Sequence, residues 1–262
     1  LDERDAMLEL VSFDLDDAAV SELRAVADRD GQVVVAHASG FIQGIDHLRI
    51  LDAVDARGAS VVMVHRVGQF VVEGQPLARV LPASAAAPLA GELHHAVEIG
   101  PWRTQRQDAE YAIYQVVEIA IRALSPAVND TFTALTCIDW LADCLCKIDP
   151  VWTPTQVHRD RNGYIRVISD QVSYERLVQR SFEKIRQAGR GMPAVMIRQL
   201  DALTTIMVQT TDAERARVLM DQAEMIRRTN TDSVPEAADR SDVERRFTEL
   251  HDVYGRRTGE AG

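Results

Sequence analysis

The sequence has no long hydrophobic run among its 262 residues. No segment approaches the roughly 20 apolar residues that a membrane-spanning helix requires. The N-terminus also lacks an initiator methionine and the basic start and apolar middle of a signal peptide. We therefore predict that this chain does not itself cross a membrane. The missing methionine suggests a fragment, with any membrane segment upstream of Leu1.

The sequence also has fewer positively than negatively charged residues. The 29 lysines and arginines are outnumbered by 40 aspartates and glutamates, which gives a formal net charge of −11. Duplex nucleic acid is bound largely by neutralising its phosphates, and anionic lipid attracts basic segments. The acidic balance therefore argues against both as partners. Only Lys147 and Lys184 are lysines, and this scarcity excludes one cofactor class below.

Cysteine is rare and is confined to one predicted helix. Cys137, Cys144 and Cys146 have no companion elsewhere in the chain with which they could close a long loop. A redox or metal site is one interpretation. The favoured interpretation is buried, reduced thiols that act as small hydrophobic side chains. Reduced thiols in turn favour a cytoplasmic location.

The motifs of familiar enzymes are missing as well. The sequence contains neither a G-x-S-x-G nucleophile elbow nor a P-loop, and its seven histidines never form H-E-x-x-H. His94 and His95 are predicted to point to opposite sides of a strand, where they could not share a metal. Aromatic residues make up only 5%, without the basic-aromatic alternation typical of single-stranded nucleic-acid binding. We therefore predict a non-enzymatic protein with no cofactor and no nucleic-acid partner.

The patterns that are present begin with a helix and a β-rich stretch. Residues 1–31 are predicted to form a linker and an amphipathic helix capped by Asp14 or Asp16. Residues 32–93 alternate β-branched runs with glycine turns, which predicts a small β-rich module with a helical insertion. The pattern resembles half of a lipoyl- or biotinyl-type barrel. Those domains attach their cofactor to a lysine, and none precedes Lys147, so we expect a barrel-sandwich-like scaffold without a prosthetic group.

The rest of the chain is predicted to be mainly helical, which makes the fold class α+β. The alanine-rich residues 83–90 are the expected connector, residues 94–256 the helical module and residues 257–262 a frayed tail. A β-hairpin near 157–168 is predicted within this module, because Asn-Gly between alternating strands is a strong hairpin signal. Capping residues and prolines predict helices at about 103–124, 131–147, 173–189, 193–210 and 212–229, and a last one that begins at the Ser241–Glu244 capping box.

The most informative feature is the polar corner between the first two predicted helices. One apolar helix stops at Ser125-Pro126, and the next starts after Asn129-Asp130. In one interpretation Ser125 caps the short turn that Pro126 begins, and Asn129 or Asp130 caps the second helix. Glu118 then pairs with Arg122 one turn later. In the other interpretation the polar residues form a pocket, in which Arg122 and the free amides of the second helix bind an anion. The candidate ligand-binding residues are Arg103, Gln107, Asp108, Arg122, Ser125, Asn129, Asp130 and Thr133.

Both interpretations make the same structural prediction. Arg122, Ser125, Asn129 and Asp130 should lie close together with at least two of them substantially buried, and buried polar groups must be paired. A third interpretation is a carboxylate site for a metal ion, because oxygen ligands suit hard cations. Its ligands would be Asp108, Glu110, Glu118 and Asp130.

Several segments resemble a bacterial family of predicted membrane proteins, domain of unknown function 2254. The resemblance runs from about Ser39 to the last helix. It is carried by GFIQGID, GQFVVEGQPLARV, QDAEYAIYQVVEIAIRALSPAVNDTFTALTCIDWL, RDRNGYIRV and ADRSDVERRF. The family usually has Asn-Asp-Pro where this chain has Asn129-Asp130-Thr131, and the missing proline slightly loosens the helix cap.

This resemblance implies a protein with several N-terminal transmembrane helices and a soluble C-terminal region, to which this chain would correspond. It places the protein at the bacterial inner (plasma) membrane, with this region on the cytoplasmic side. The expected partners are the upstream transmembrane helices of the same protein and a possible second copy. We therefore expect a sensing, assembly or regulatory domain. The alternative is a hydrolase-like enzyme that acts on an anionic or phosphate-bearing substrate at the Arg122–Thr133 corner.

Overall fold

The chain alternates between a β-rich unit and a helical unit. The computed structural model describes residues 17–259, so the expected caps Asp14 and Asp16 lie outside the described residues. The β-rich unit comprises the chain up to Asp108 together with Thr153–Val172. The helical unit comprises Ala109–Trp152 and the chain from Ser173 onward. The fold is α+β, as predicted.

The β-rich unit is built on two sheets. In chain order its elements are α1 (Asp17–Asp30), β1 (Gln32–Val35), β2 (Gly40–Ile45), α2 (His47–Asp55), β3 (Ser60–Met63), β4 (Phe70–Val71), β5 (Pro76–Leu81), α3 (Ala86–Ala96), β6 (Val97–Gly100), β7 (Thr155–Arg159) and β8 (Ile165–Asp170). The five-stranded sheet has the order β1-β5-β3-β8-β7, and the three-stranded sheet has the order β4-β2-β6. The pairing of β3 with β8 is parallel, and the other pairings are antiparallel.

The core of this unit forms where the sheet faces meet α2 and α3. Ile42 and Val80 from the strands, Ile50 from α2 and Leu89 and Leu93 from α3 are all buried in one cluster. The β-branched runs of the sequence supply the strand residues, because such side chains pack well on a pleated surface.

The helical unit contains six long helices among the described residues. They are α4 (Ala109–Ala123), α5 (Thr131–Ile148), α6 (Tyr174–Ala188), α7 (Pro193–Gln209), α8 (Ala213–Ser233) and α9 (Ala237–Thr258). The predicted caps Ser173 and Asp212 accept hydrogen bonds from backbone amides at the starts of α6 and α8, and Pro193 begins α7. The apolar stripe of α6 is fully buried through Leu177, Phe182 and Ile185.

Some local predictions were wrong. Residues 83–90 form a 3₁₀ turn and the start of α3 instead of a connector, because alanine favours helix. His94 and His95 therefore lie in the last turn of α3, not on a strand. The first long helix begins at Ala109 instead of residue 103.

The last helix also differs from its prediction. Ser241 lies inside α9, which is capped by Glu236, so the proposed capping box does not start the helix. The predicted tail begins too early, because α9 continues to Thr258.

The hairpin is formed where the sequence predicts it, by β7 and β8 with a turn at Asp160–Gly163. Gly163 has a φ of +84°, which glycine adopts at little cost. The sequence pattern predicted this hairpin within the helical module. In the structure Val61 of β3 lies beside Val167 of β8, so the hairpin completes the larger sheet of the β-rich unit. The pairing joins strands about a hundred residues apart, which local patterns do not encode.

Candidate functional site

The polar corner between α4 and α5 is closed by backbone hydrogen bonds. The amide of Asn129 donates to the Ser125 carbonyl at 2.9 Å, and that of Asp130 donates to the Ala123 carbonyl at 2.8 Å. Asn129 has a φ of +51°, in the left-handed region that asparagine tolerates better than most residues. The corner is therefore a defined turn that ends one helix and starts the next.

Asp130 is the N-cap of α5. Its Oδ1 accepts from the Thr133 amide at 3.1 Å, and its Oδ2 accepts from the Thr133 hydroxyl at 2.5 Å. These hydrogen bonds from Thr133 hold the pKa of Asp130 below its ordinary value. Ser125 does not cap the following turn as predicted. Its hydroxyl donates back to the Arg122 carbonyl at 2.7 Å and so satisfies the end of α4.

The predicted burial of the corner is wrong. Arg122, Asn129 and Asp130 are exposed, and Ser125 is only half-buried. Arg122 pairs with Glu118 one turn earlier at 3.3 Å, and its side chain is 76% exposed. The polar groups can remain at the surface because their hydrogen bonds are made to neighbouring residues. This geometry supports the capping interpretation, since the side chains needed for an anion clamp are engaged locally.

The other three candidate residues have structural partners within the β-rich unit. Arg103 and Asp108 form a two-pronged ion pair with both contacts at 2.8 Å, and Asp108 is buried. The side-chain amide of Gln107 bonds to both the N–H and the carbonyl of Ile45, at 2.9 and 3.3 Å. The two Gln107 hydrogen bonds hold residues 103–108 against β2. Arg103, Gln107 and Asp108 thus belong to one unit, and the corner residues belong to the other.

Three of the four carboxylates proposed as metal ligands pair with arginines, and the fourth, Asp130, caps α5. Glu110 is buried and accepts from Arg180 at 2.9 Å, with Arg176 at 3.5 Å. Asp108 and Glu118 pair with Arg103 and Arg122, as described above. Within residues 17–259, histidine, cysteine, aspartate and glutamate side chains form no group of three that could hold a metal ion.

The three cysteines are free thiols on α5. Cys137 is buried, and Cys144 and Cys146 are half-buried. Burial raises the pKa of each thiol, which lowers the fraction of reactive thiolate. Their environment matches the interpretation of these residues as small hydrophobic side chains.

Sequence reasoning missed a group of exposed apolar side chains on the α4–α5 hairpin. Phe132 is 83% exposed, Val128 59% and Ile119 53%. These three residues flank the corner, and we call them the corner apolar surface. Trp140, two turns further along α5, is 64% exposed. The sequence pattern does not distinguish Ile119 and Phe132 from the buried apolar residues of the same two helices, and Val128 lies in the turn between them.

The comparison with known families identifies the family to which the chain belongs. The family model described as "Predicted membrane protein (DUF2254)" matches residues 6–205, which is most of the chain. The chain belongs to the DUF2254 family. This confirms the resemblance found in the sequence. Across residues 17–259 of this family member, every helix is too short or too polar to span a bilayer.

Relatives of this DUF2254 chain occur in mycobacteria. It is 28% identical over 220 residues to the uncharacterized proteins Mb1321c of Mycobacterium bovis and Rv1290c of Mycobacterium tuberculosis. Each match covers 82% of this chain but only 42% of the relative. The chain therefore spans less than half the length of these curated relatives. No solved structure matches it at a significant level.

The capping role of Asp130 in this DUF2254 chain can be tested directly. Asp130→Ala is expected to lower the melting temperature by about 2–4 °C, the usual effect of losing one N-cap in a chain of this size. Asp130→Asn should recover most of this loss, since asparagine still offers an acceptor to the Thr133 amide. Differential scanning calorimetry would measure both. An alanine variant that melts like the wild type but has lost binding of inorganic phosphate would instead support the pocket.

Proposed function

We propose that this chain is a non-enzymatic assembly domain on the cytoplasmic side of a multi-pass membrane protein. In this proposal the corner apolar surface docks against the membrane-embedded part of the same polypeptide. The observation that carries the proposal is the exposure of Ile119, Val128 and Phe132 at one end of the α4–α5 hairpin. Clustered exposed apolar side chains often mark interaction sites.

Covering this surface would be energetically favourable. Removing a large apolar side chain from water contributes about 1.5–3 kcal/mol. The stabilisation expected from the three residues together is several kcal/mol, which is enough to hold a domain in place. Phe132 contributes most, because it is the most exposed of the three.

The charges around the surface have local partners. Glu118 pairs with Arg122 at 3.3 Å, and Asp130 is held by Thr133. Further along α5, Asp143 pairs with Lys147 at 2.6 Å. A partner that covers the corner would therefore bury few charges without compensation, which is the main electrostatic penalty of docking.

The size of the surface favours a partner within the same polypeptide. Three side chains offer far less than the roughly 1,200–2,000 Å² that a stable complex between separate molecules buries. A tethered partner needs less contact area, because the tether gives it a high effective concentration. The matched region makes up only 42% of each mycobacterial relative. The family is described as one of predicted membrane proteins, which supports a partner in the remaining length of the polypeptide.

Two further observations support the cytoplasmic location and the lack of enzymatic activity. The free thiols Cys137, Cys144 and Cys146 suit a reducing compartment. The polar corner, which was the strongest candidate for a catalytic site, is occupied by helix capping.

Photo-crosslinking in the full-length protein would test the docking. A photoreactive phenylalanine analogue at Phe132, in protein expressed in its own membrane, is expected to crosslink to a segment of the same polypeptide outside this chain. Mass spectrometry of the crosslinked peptides would map that segment. The matched control is the analogue at Tyr164, a 65% exposed aromatic residue on the β7–β8 hairpin, which should give little of this product.

Other products would contradict the docking in distinct ways. Crosslinks between two copies at Phe132 would show that a second chain covers the surface. Crosslinks to lipid would show that the surface contacts the bilayer. Recovery of the full-length protein in the soluble fraction would refute the membrane assignment itself, and protease accessibility in inverted vesicles would test the cytoplasmic side.

A further inference from the structure

Two histidines from different elements of the β-rich unit are stacked on each other. His47 is the first residue of α2, and His158 lies on β7. Their ring centroids are 4.7 Å apart and their planes are 19° from parallel. The contact joins the start of a helix to an edge strand, because β7 ends the strand order of the larger sheet.

Both rings hold a polar atom that is buried without a partner. Within the described part of the chain, the Nε2 atoms of His47 and His158 are inaccessible to water and make no hydrogen bond. A neutral imidazole can leave Nε2 as an unprotonated acceptor at moderate cost. A protonated imidazole carries N–H groups on both nitrogens, so each Nε2–H would then be a buried donor without an acceptor.

Protonation of both rings would also place two positive charges face to face. Burial lowers the pKa of His47 to about 4, with a further lowering by His158 and an opposing effect of Asp46. Burial also lowers the pKa of His158. The pair is therefore neutral at pH 7, and its burial and stacking disfavour the protonated state.

The charged groups that neighbour the two histidines in sequence have other partners. Asp46 accepts from the Arg49 amide at 3.0 Å as the cap of α2, and the Arg49 side chain pairs with Glu92. On β7, Arg159 donates to the Gly163 carbonyl, and on β8, Arg166 pairs with Asp160. Strand β3, which also packs against α2, has no titratable side chain.

We propose that the His47–His158 pair is an acid-sensitive clasp, which holds the β7–β8 hairpin against α2 at neutral pH and releases it on acidification. The clasp is independent of the proposed function, since it lies in the β-rich unit and needs no partner. The mobility of the β7–β8 hairpin would then increase when the surrounding pH falls.

The pH range follows from the direction of the shifts. A histidine exposed by opening has an ordinary pKa of about 6.5. The closed state binds fewer protons than the open state between that value and the pKa of about 4 for His47. Stability of the clasp is therefore fully present above about pH 6.5 and is lost as pH falls toward 4. From pH 7 to 5, His47 alone would favour opening by about 20-fold.

Hydrogen exchange at two pH values would test the clasp. After correction for the intrinsic exchange rate, protection of residues 155–170 is expected to fall by at least about 20-fold from pH 7 to pH 5, because His158 adds to the effect of His47. In the His47→Phe/His158→Phe variant, which keeps two stacked rings without titratable nitrogens, protection should change less than about twofold. The control His251→Phe replaces an exposed histidine on α9 and should keep the pH dependence of the wild type.

Titration by NMR tests the clasp independently of the double variant. The imidazole resonances of His47 in the wild-type chain should titrate well below pH 6. A midpoint near 6.5 for both histidines would overturn the proposal. So would a pH dependence of hairpin protection that is the same in the wild type and the double variant. If the double variant does not fold, the titration and the single variant His158→Phe, which should weaken the pH dependence, still support or overturn the clasp.

Discussion

Replacing Gly68 with alanine is expected to destabilise the β-rich unit by about 3–5 kcal/mol, because it breaks a buried ion pair. Gly68 has a φ of +85°, which already disfavours any other residue. A Cβ atom at this position would overlap Oδ2 of Asp108 and lie 2.9 Å from Nη2 of Arg103. The carboxylate would have to leave the arginine, and both charges would lose a partner in a buried setting.

Gly74 provides a matched control for this substitution. It has nearly the same φ, +84°, but its Cβ would meet no atom within 4 Å. Gly74→Ala should therefore cost only the conformational part, about 1–2 kcal/mol. Urea unfolding followed by far-ultraviolet circular dichroism would compare the two variants. Equal losses would mean that the Arg103–Asp108 pair contributes nothing beyond the glycine conformation.

The second large effect is expected at Arg215, in the helical unit. Its guanidinium donates to the carbonyls of Asp149 and Trp152 and pairs with the Asp149 carboxylate at 3.5 Å. The same group lies 5.0 Å from the ring centre of Tyr174. Arg215→Met would leave Asp149 as a buried carboxylate without its cation, which typically costs about 3–5 kcal/mol. The loss should appear as a lower urea midpoint, followed by tryptophan fluorescence.

Arg217 is the control for this effect. It lies on the same helix but is exposed, so Arg217→Met should change the unfolding free energy by less than about 0.5 kcal/mol. An Arg215→Met variant as stable as the Arg217→Met variant would show that the end of α5 does not depend on this contact. The side chains exchanged are the same, so a difference in helix propensity cannot explain a difference between the variants.

Helix starts were the most predictable part of this fold. Ser173, Pro193, Asp212 and Asp130 each act within one turn of their own position, so the residue type suffices to indicate the boundary. Ser241 shows the limit of such patterns. A capping box is only one of several local options, and Glu236 had already started the helix.

The polar corner was predicted in part. Its residues are neighbours in sequence, and Asp130 was one of two caps expected from its position before α5. The exposure of the corner could not be predicted, because burial depends on which distant elements pack over it. The hydrogen bonds of the corner are made between neighbouring residues, so its polar groups are satisfied without any other element packing over them.

The sequence alone determined the class of elements, the hairpin turn at Gly163, the membership in the DUF2254 family and the starts of α5, α6, α7 and α8. All of these depend on interactions between residues a few positions apart or on the residue pattern itself. Only the tertiary structure decided which apolar residues are buried. Ile113 is buried and Ile119 exposed on the same helix, because α5 and α6 cover one face of α4. It also decided contacts between distant segments, such as Val61 with Val167 and His47 with His158. Such contacts arise when the whole chain packs, so no local pattern contains them.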